Sequence, residues 1–313
     1  MGLGESWERR HKPALLRLSE KFEIRALYDD VAYRASAQAA ELECDAVMGF
    51  TRLIEREDVD AVYILGESWQ GMEPVRSACR ALKPIFLGRP IGTAPGMDEA
   101  LEEIQSSGVR FMVEFPWRFY PATVRLMELL SSGLGAPQMA FCDQLLLEPE
   151  VPASLASTQE PKWNLIAVQM ADWLRFVFSE EPVSARSTVS CVAGTGPSRG
   201  FETLVARFGD SKVGQATLRR FLSPRWSEAA RFQRPPSFQV IAEFGVAYLE
   251  LPGEVTWFDE SGQHQESLES DRPLGELLSD RFYRTIVHGL NPSPGLADAI
   301  SARRMVKLAR EQA

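Results

Sequence analysis

Short apolar runs alternate with amphipathic segments between residue 12 and about residue 115. The runs are rich in β-branched and aromatic side chains, which predicts strands, and the segments between them show helical spacing of apolar residues. The predicted strands are Glu23–Tyr28, Ala61–Leu65, Pro84–Leu87 and Val109–Val113, and the predicted helices are Pro13–Lys21, Val31–Leu42, Phe50–Arg56, Gln70–Leu82 and Gly96–Ser106. This β-α alternation is typical of a parallel sheet with helices on its faces.

The pattern changes after Phe115. Pro116–Pro121 is rich in proline and aromatic residues, which suits a rigid connection, so we place a domain boundary between residues 117 and 118. The predicted helices of the second part are Ala122–Ser131, Asn164–Phe178, Leu274–His288 and Gly295–Gln312, and its predicted strands are Val183–Val192, Thr203–Phe208, Gly214–Phe221, Phe238–Phe244, Val246–Leu251 and Val255–Phe258. Residues 118–313 are therefore predicted to form an α+β domain with an open antiparallel sheet.

The charge of the chain limits its partners. A formal net charge of -9 argues against a nucleic-acid partner or an anionic membrane surface, because both need clustered lysine and arginine. The first residues are charged, and no apolar run is long enough to span a bilayer, so we expect a cytoplasmic protein with a small-molecule substrate. The four cysteines form no C-x-x-C pair and the three histidines do not cluster, so we assign no metal.

A dinucleotide-binding site is indicated near the first residues. Gly2, Leu3 and Gly4 precede a helix, and such glycines let the backbone approach a pyrophosphate; an ordinary glycine turn is the alternative. Trp7 takes the place of the third glycine of the usual motif. Asp29 ends the next strand and is expected either to accept hydrogen bonds from the adenosine ribose or to cap the following helix. Because Asp30 follows it and no arginine comes directly after, NAD is favoured over NADP.

This glycine motif stands unusually early in the sequence. A Rossmann-type sheet needs a strand of about five residues before the glycines, and Gly2 is preceded by one residue. The first strand of the parallel sheet is therefore apparently missing. We expect that Met1 is a misassigned start and that the natural protein begins several residues upstream.

Two further groups of residues are candidates for ligand contact. Gly66 and Trp69 follow a predicted strand, where parallel sheets form ligand crevices, although packing explains Trp69 equally well. Gln169, Asp172 and Arg175 lie three residues apart on one predicted helix, with Trp163, Asn164 and Trp173 close in sequence. They are expected either to line a substrate site or to form the solvent-facing side of a partly buried helix.

Together these motifs resemble the Gfo/Idh/MocA family of oxidoreductases, named for glucose-fructose oxidoreductase and inositol dehydrogenase. The matching segments occur in the family's order: Gly2–Gly4 with His11–Leu15, Asp58–Ile64, Gly88–Pro90, Met112–Phe115 with Arg118 and Phe119, and Gly133–Pro137. The resemblance implies that residues 1–117 form a Rossmann dinucleotide-binding domain. It also implies that residues 118–313 bind substrate, with Arg118 among the contacts, and form a homo-oligomer through the C-terminal sheet.

The resemblance further implies hydride transfer between a nicotinamide and a sugar or polyol carbon. The family's proton-transfer lysine, in a Glu-Lys-Pro element, is Arg89 here, and its helical aspartate and histidine are Leu165 and Gln169. An arginine stays charged near neutral pH and a glutamine does not titrate, so these residues cannot perform the usual proton transfer. Arg89 is expected either to bind an anionic group and polarise a carbonyl oxygen, or to form a salt bridge. We therefore expect an oxidoreductase with a non-standard or weakened mechanism; the alternative is an inactive nucleotide-binding regulatory or partner protein.

Overall fold

The computed structural model describes residues 1–66, 70–93, 97–146, 162–191, 200–220 and 237–312. Within this part of the chain there are two compact units, of which the first contains residues 1–115 and 271–300 and the second contains residues 116–270 and 301–312. The first unit thus includes a late segment, residues 271–300, that the sequence division assigned to the second domain. The boundary at residue 117 stays a prediction.

The first unit is a Rossmann-like α/β unit. After a π-helical turn, Trp7–His11, its elements are α1 (Lys12–Arg17), β1 (Ala26–Leu27), α2 (Ala32–Glu41), β2 (Asp45–Ala46), α3 (Phe50–Ile54), β3 (Val62–Ile64), α4 (Glu73–Arg80), β4 (Ile85–Leu87), α5 (Met97–Ser106) and β5 (Phe111–Val113). All strand pairs are parallel, and they form two sheets with the orders β1-β2 and β3-β4-β5. The predicted parallel alternation is confirmed, with shorter strands. β2 has no counterpart among the predicted strands because its two residues are exposed and carry no apolar run.

The core of the first unit explains why residues 271–300 belong to it. β4 and β5 are buried at every position, as expected for a parallel sheet covered on both faces. The rings of Tyr63 and Phe86 stack with centroids 4.7 Å apart, and Phe282 packs edge-on against both. Phe282 lies on α8 (Leu274–Val287), which also packs on α1. The aromatic face of α8 is therefore buried by the first unit.

A buried histidine–carboxylate pair lies in the same core. His11 is fully buried, and its Nε2 lies 3.0 Å from Oε2 of Glu114, which also pairs with Arg10. Burial lowers the pKa of His11 to about 3, and the charges of Arg10 and of the N-terminal ammonium act in the same direction. His11 is therefore neutral at neutral pH, with its Nε2–H donating to Glu114.

The second unit is built on one large sheet. A 3₁₀ turn (Pro116–Phe119), α6 (Pro121–Leu129) and a π-helical turn (Leu130–Leu134) lead to β6 (Pro137–Leu146), followed by α7 (Lys162–Phe178), β7 (Pro182–Cys191), β8 (Gly200–Phe208), β9 (Lys212–Arg220), β10 (Phe238–Ala242), β11 (Gly245–Glu250), β12 (Glu254–Asp259) and β13 (Gly262–Ser267). The strand order is β13-β12-β11-β10-β6-β9-β8-β7. α9 (Leu296–Glu311) begins in the first unit and ends in the second.

The sheet is mixed rather than purely antiparallel, which corrects the predicted all-antiparallel sheet. β6 lies between β10 and β9 and runs parallel to β9, whereas the other pairs are antiparallel. Neither β6 nor β13 was predicted from the sequence. The side chains of β13 are polar and largely exposed, so this strand leaves no apolar pattern. His264 was predicted to lie in a turn but belongs to β13, where its ring stacks on Trp257 at 4.8 Å.

Helix α7 covers one face of this sheet. Trp173 packs against Phe238 with ring centroids 4.6 Å apart, and Phe178 stacks on Phe208 at 4.5 Å. Buried and exposed side chains alternate along β8. Leu204, Ala206 and Phe208 point to the covered face, while Phe201 and Val205 are exposed.

None of the helices in the described ranges has both the length and the apolar character that crossing a membrane requires.

We predict that Gly275→Ala destabilises the first unit. A Cβ at Gly275 would lie 2.3 Å from the carbonyl oxygen of Arg10 and 3.0 Å from Cβ of Ala14, so α8 must move away from the first helix. Overpacking of this kind costs about 1–3 kcal/mol and outweighs the higher helix propensity of alanine. The measurement is the midpoint of urea unfolding. Gly133→Ala is the matched control, because a Cβ there meets nothing within 4 Å; equal midpoints for the two variants would contradict the close contact.

A second prediction concerns the pH dependence of stability. The pKa of His11 is lowered in the folded protein from 6.5 to about 3, so its stabilising contribution is complete above pH 6.5 and is lost as the pH falls towards 3. Between pH 6.5 and 4 the wild-type protein should lose up to about 1.4 kcal/mol per pH unit through this group. His11→Gln keeps a donor for Glu114 without titrating, so its curve should fall less steeply. Parallel curves for the two proteins would refute the assignment.

Candidate functional site

Two glycine backbones touch at the edge of the first unit where β3 ends. Gly2 adopts a φ of +80°, and a Cβ there would lie 2.3 Å from the nitrogen of Gly66. A Cβ at Gly66 would in turn lie 2.8 Å from Cα of Gly2. Gly4 differs, because a Cβ on it would meet nothing within 4 Å. Gly2 and Gly66 are thus required for backbone packing, while the backbone of Gly4 is open to a ligand.

Asp29 organises the adjoining loop. Its carboxylate is 8% exposed and accepts the backbone N–H of Leu3 at 2.7 Å through Oδ2 and that of Val31 at 2.9 Å through Oδ1. Nη1 of Arg34 lies 3.2 Å from Oδ1. The N-cap position of α2 is held by Val31, so the predicted capping by Asp29 is corrected: Asp29 bonds the backbone two residues later, just before the helix.

These residues line one pocket of about 220 Å³ in the first unit. It brings together five of the predicted cofactor-binding residues: Gly2, Leu3, Gly4, Asp29 and Gly66. Tyr28, Asp30, Arg34, Phe50 and Gln70 also line it. The open backbone of Gly4, the glycine contact and the adjacent carboxylate fit the pyrophosphate and ribose of a dinucleotide.

Trp7 and Arg89, which were also predicted to contact the cofactor, are not among the residues that line this pocket. Trp7 is buried at 3% exposure, and its Nε1 donates to Oε1 of Gln38 at 3.2 Å. It lines a different, larger cavity of the first unit. Trp69 lies outside the described residues. Trp7 therefore packs between helices, and a role for either tryptophan in cofactor binding stays a prediction.

Arg89 and Glu114 follow neighbouring strands, at the sheet edge where ligands bind in open α/β sheets. Arg89 comes two residues after β4 and is half-buried, whereas Glu114 comes directly after β5 and is 1% exposed. A Cβ on Gly88 would lie 3.4 Å from Oε2 of Glu114. Glycine at position 88 therefore leaves room for a carboxylate supplied by β5.

The polar residues of α7 are engaged within the second unit. Asp172 is 1% exposed and receives two hydrogen bonds from Arg118, one of them from Nε to Oδ2 at 2.8 Å. Arg175 is also buried, at 9% exposure, and its Nε donates to Oε2 of Glu181 at 2.9 Å. The alternative of a solvent-facing polar side is therefore wrong for Asp172 and Arg175, because both head groups are buried and paired. Substrate binding by Arg118 and Asp172 stays a prediction.

The first turn of α7 is held by a second ion pair. Nε1 of Trp163 donates to Glu202 at 2.6 Å, Arg310 pairs with the same carboxylate, and Nη1 of Arg310 donates to Oδ1 of Asn164 at 2.8 Å. These contacts fix the start of the helix that carries Leu165 and Gln169. Leu165 is 8% exposed and Gln169 is half-buried. The substrate roles proposed for Trp163, Asn164 and Gln169 stay predictions.

Two residues of interest were missed in the sequence. Arg34 lies five positions after Asp29, whereas the expected preference for NAD depends on the residues directly after the acid. Glu114 interrupts an otherwise apolar segment, Phe111–Phe115, and such a carboxylate has to find a cationic partner when buried. Within the described part of the chain, no three His, Cys, Asp or Glu side chains are grouped so that they could hold a metal ion.

Comparison with known proteins agrees with this geometry. Residues 1–115 match the model of the GFO_IDH_MocA oxidoreductase family, described as an NAD-binding Rossmann fold. Inositol 2-dehydrogenase 3 of Saccharopolyspora erythraea is 30% identical over 179 residues, which are 56% of this chain and 52% of that protein. The chain thus spans about half the length of this curated relative.

Solved structures resemble the chain over nearly its whole length. Aldose-aldose oxidoreductase from Caulobacter crescentus superposes with a TM-score of 0.80 at 16% identity, covering 98% of this chain and 94% of that one. Biliverdin reductase from Synechocystis, in complex with biliverdin and NADP+, superposes with a TM-score of 0.79 at 12% identity, covering 98% and 96%. At these identities the structures establish the two-domain α/β fold. The match of residues 1–115 assigns this part of the chain to the Gfo/Idh/MocA family of oxidoreductases.

Proposed function

We propose that this protein is an NAD(P)-dependent oxidoreductase that acts on a sugar-like or polyol substrate. The observation that carries the proposal is the pocket of the first unit, where the Gly2–Gly66 contact and the carboxylate of Asp29 shape the loop around Leu3 and Gly4. Family membership supports the reaction class. The inositol dehydrogenase relative supports the substrate class, and because only about half of that protein is matched, its activity enters here as a proposal.

The pocket residues have separable tasks in binding. The open backbone at Gly4 accepts the pyrophosphate, and Asp29 faces the adenosine ribose while holding the N–H of Leu3. When bound, the nicotinamide dinucleotide supplies the carbon that accepts or gives the hydride. The protein supplies position and charge around that carbon.

Arg89 determines how the reaction departs from the family's pattern. A guanidinium stays charged near neutral pH, so Arg89 polarises a substrate oxygen or binds an anionic group and does not exchange protons. Neither Leu165 nor Gln169 titrates. The proton therefore travels through water, and the reaction is slower than one assisted by a positioned acid–base group, whose contribution is typically ~100- to 10,000-fold. The comparisons give no support to the inactive alternative, since the curated relative is named as an enzyme.

Arg34 bears on the choice between NAD and NADP. The sequence favoured NAD because a 2′-phosphate would meet Asp29 and Asp30. Arg34 lines the same pocket and lies 3.2 Å from Asp29, which provides a cation beside the two carboxylates. We therefore propose that both dinucleotides bind and that Arg34 carries the affinity for the 2′-phosphate.

We further propose a homo-oligomer formed through the exposed face of the large sheet. Phe201 and Val205 of β8 are 45% and 42% exposed. Both side chains lie on the face opposite α7 and form a short apolar stripe there. Burying such a stripe against a second copy is favourable.

Nucleotide titration tests the binding site. The wild-type protein should bind NAD+ and NADP+ in calorimetry, and Arg34→Ala should weaken NADP+ by about tenfold while changing NAD+ by less than about twofold, because only the 2′-phosphate loses a charge-assisted bond. Arg186→Ala, an exposed arginine of the second unit, is the matched control. Absence of binding by the wild-type protein would defeat the proposed function, and equal losses for both nucleotides would defeat the role of Arg34.

Restoring the family's titratable groups tests the mechanism. Arg89→Lys, Leu165→Asp and Gln169→His together should raise the rate of NAD(P)+ reduction with inositol or an aldose by about 100-fold or more over a slow wild-type rate. The control combines Arg89→Gln, Leu165→Asn and Gln169→Asn, which alters the same positions without titratable groups. If the wild-type protein is active and the restored variant loses that activity, Arg89 has a specialised role. If the wild-type protein is inactive and the restored variant gains activity, the inactive alternative is favoured.

A further inference from the structure

A buried carboxylate that the proposed function does not use lies at the end of β5. Glu114 is 1% exposed and donates its backbone N–H to the carbonyl oxygen of Leu87 at 2.8 Å, so it continues the pairing of β5 with β4. Its side chain contacts Arg10 and His11, which belong to the π-helical turn Trp7–His11. Because burying a carboxylate is costly, its presence in this core calls for an explanation.

The residue opposite Glu114 in the sheet is Gly88. β4 and β5 are parallel, and their register brings these two positions side by side directly after the last pair of the strands. Side chains at opposite positions of neighbouring strands point to the same face of a sheet. Phe86 lies two residues before Gly88 and packs edge-on against His11 with ring centroids 5.3 Å apart. Positions 88 and 114 therefore both face the turn that carries His11.

Gly88 leaves the space at its own position empty of side chain, and Glu114 uses that space. A Cβ on Gly88 would lie 3.4 Å from Oε2 of Glu114 and 2.7 Å from Cδ2 of Leu65. Gly88 also takes the first position of the segment that resembles the Glu-Lys-Pro element, where the pattern has a glutamate. This chain therefore has its glutamate on the neighbouring strand, with the carboxylate next to the same position.

Glu114 fixes both of its partners. Its Oε2 lies 3.0 Å from Nε2 of His11, whose Nδ1 is buried and has no hydrogen-bond partner among the described residues. The bond to Glu114 therefore determines which ring nitrogen of the neutral histidine carries the proton. Oε1 pairs with Arg10, which neutralises the buried charge. Both partners lie in the turn that follows the glycine loop at Gly4.

We propose that Glu114 is a positioning residue, which supplies from β5 the carboxylate that position 88 lacks and so fixes the turn Trp7–His11 against the ends of β4 and β5. It acts through Arg10 and His11 rather than on the substrate. A glutamate at position 88 could perform the same task, because both positions face the same turn. The consequence for nucleotide affinity rests on the proposed function, whereas the consequence for the turn does not.

Moving the carboxylate from one strand to the other tests the proposal. The variants are Glu114→Gly, Gly88→Glu, these two changes combined, and Gly88→Met combined with Glu114→Gly, in which an apolar side chain of similar length fills the same space. Gly88→Ala measures separately the cost of a Cβ next to Leu65. The readouts are the melting temperature and the ¹⁵N chemical shifts of the His11 ring, which report the nitrogen that carries the proton.

Glu114→Gly should lower the melting temperature by about 5 °C or more, because the buried Nε2–H of His11 loses its acceptor and Arg10 loses its partner. Gly88→Glu alone should also lower it, because two carboxylates then share one buried space. The combined variant should recover at least about half of the loss caused by Glu114→Gly, after the loss measured for Gly88→Ala is subtracted, and should regain the wild-type His11 shifts. The methionine control should do neither.

The proposal is overturned if Glu114→Gly leaves the melting temperature and the His11 shifts unchanged, or if the combined variant is no better than the methionine control. If Glu114→Gly yields no folded protein, folding of the combined variant but not of the methionine control supports the proposal, and failure of both overturns it.

Nucleotide affinity separates this proposal from the proposed function. If the wild-type protein binds NAD+, Glu114→Gly should weaken that binding by about tenfold and the combined variant should restore it. Equal affinity of the wild-type protein and Glu114→Gly would overturn the positioning role. Absence of binding by the wild-type protein would defeat the proposed function, while the melting temperatures and the His11 shifts would still decide the role of Glu114.

Discussion

The backbone contact between Gly2 and Gly66 is the constraint on which the first unit's pocket depends. A Cβ on Gly2 would lie 2.3 Å from the backbone of Gly66, and a Cβ on Gly66 would lie 2.8 Å from the backbone of Gly2. Both positions therefore have to be glycine for the loop after Met1 to lie against the end of β3. That position brings the N–H of Leu3 within 2.7 Å of Asp29 at the end of β1. One close approach thus ties together the two sheets, the carboxylate and the open backbone of Gly4.

Much of this architecture was predictable from the sequence. The strands of a parallel sheet are buried on both faces, so they leave continuous apolar runs such as Ile85–Leu87 that need no knowledge of their neighbours. β13 left no such run, because it lies at the edge of its sheet with largely exposed polar side chains. An amphipathic pattern shows that α8 has an apolar face but not what covers it, so its packing on Phe86 through Phe282 could not be inferred.

The pocket was predictable in part for a similar reason. Glycines and an acid at a strand end carry a local signal, and Gly2, Gly4, Asp29 and Gly66 do converge. Pairings between residues that are far apart in the sequence leave no such local signal. Nothing in the sequence indicates that Arg118 will meet Asp172 in a buried ion pair.

Buried carboxylates and arginines follow one rule throughout the described chain. The acidic residues that are buried there are Asp29, Glu114, Asp172 and Glu202, and each contacts an arginine: Arg34, Arg10, Arg118 and Arg310 respectively. Burial of a charge is tolerable when a partner neutralises it. Both carboxylate oxygens of Asp172 accept hydrogen bonds from Arg118, so Asp172 is committed to that pair and does not replace the groups absent at Leu165 and Gln169. Together with the permanent charge of Arg89, this favours the proposed mechanism, in which the protein fixes and polarises the substrate while water carries the proton.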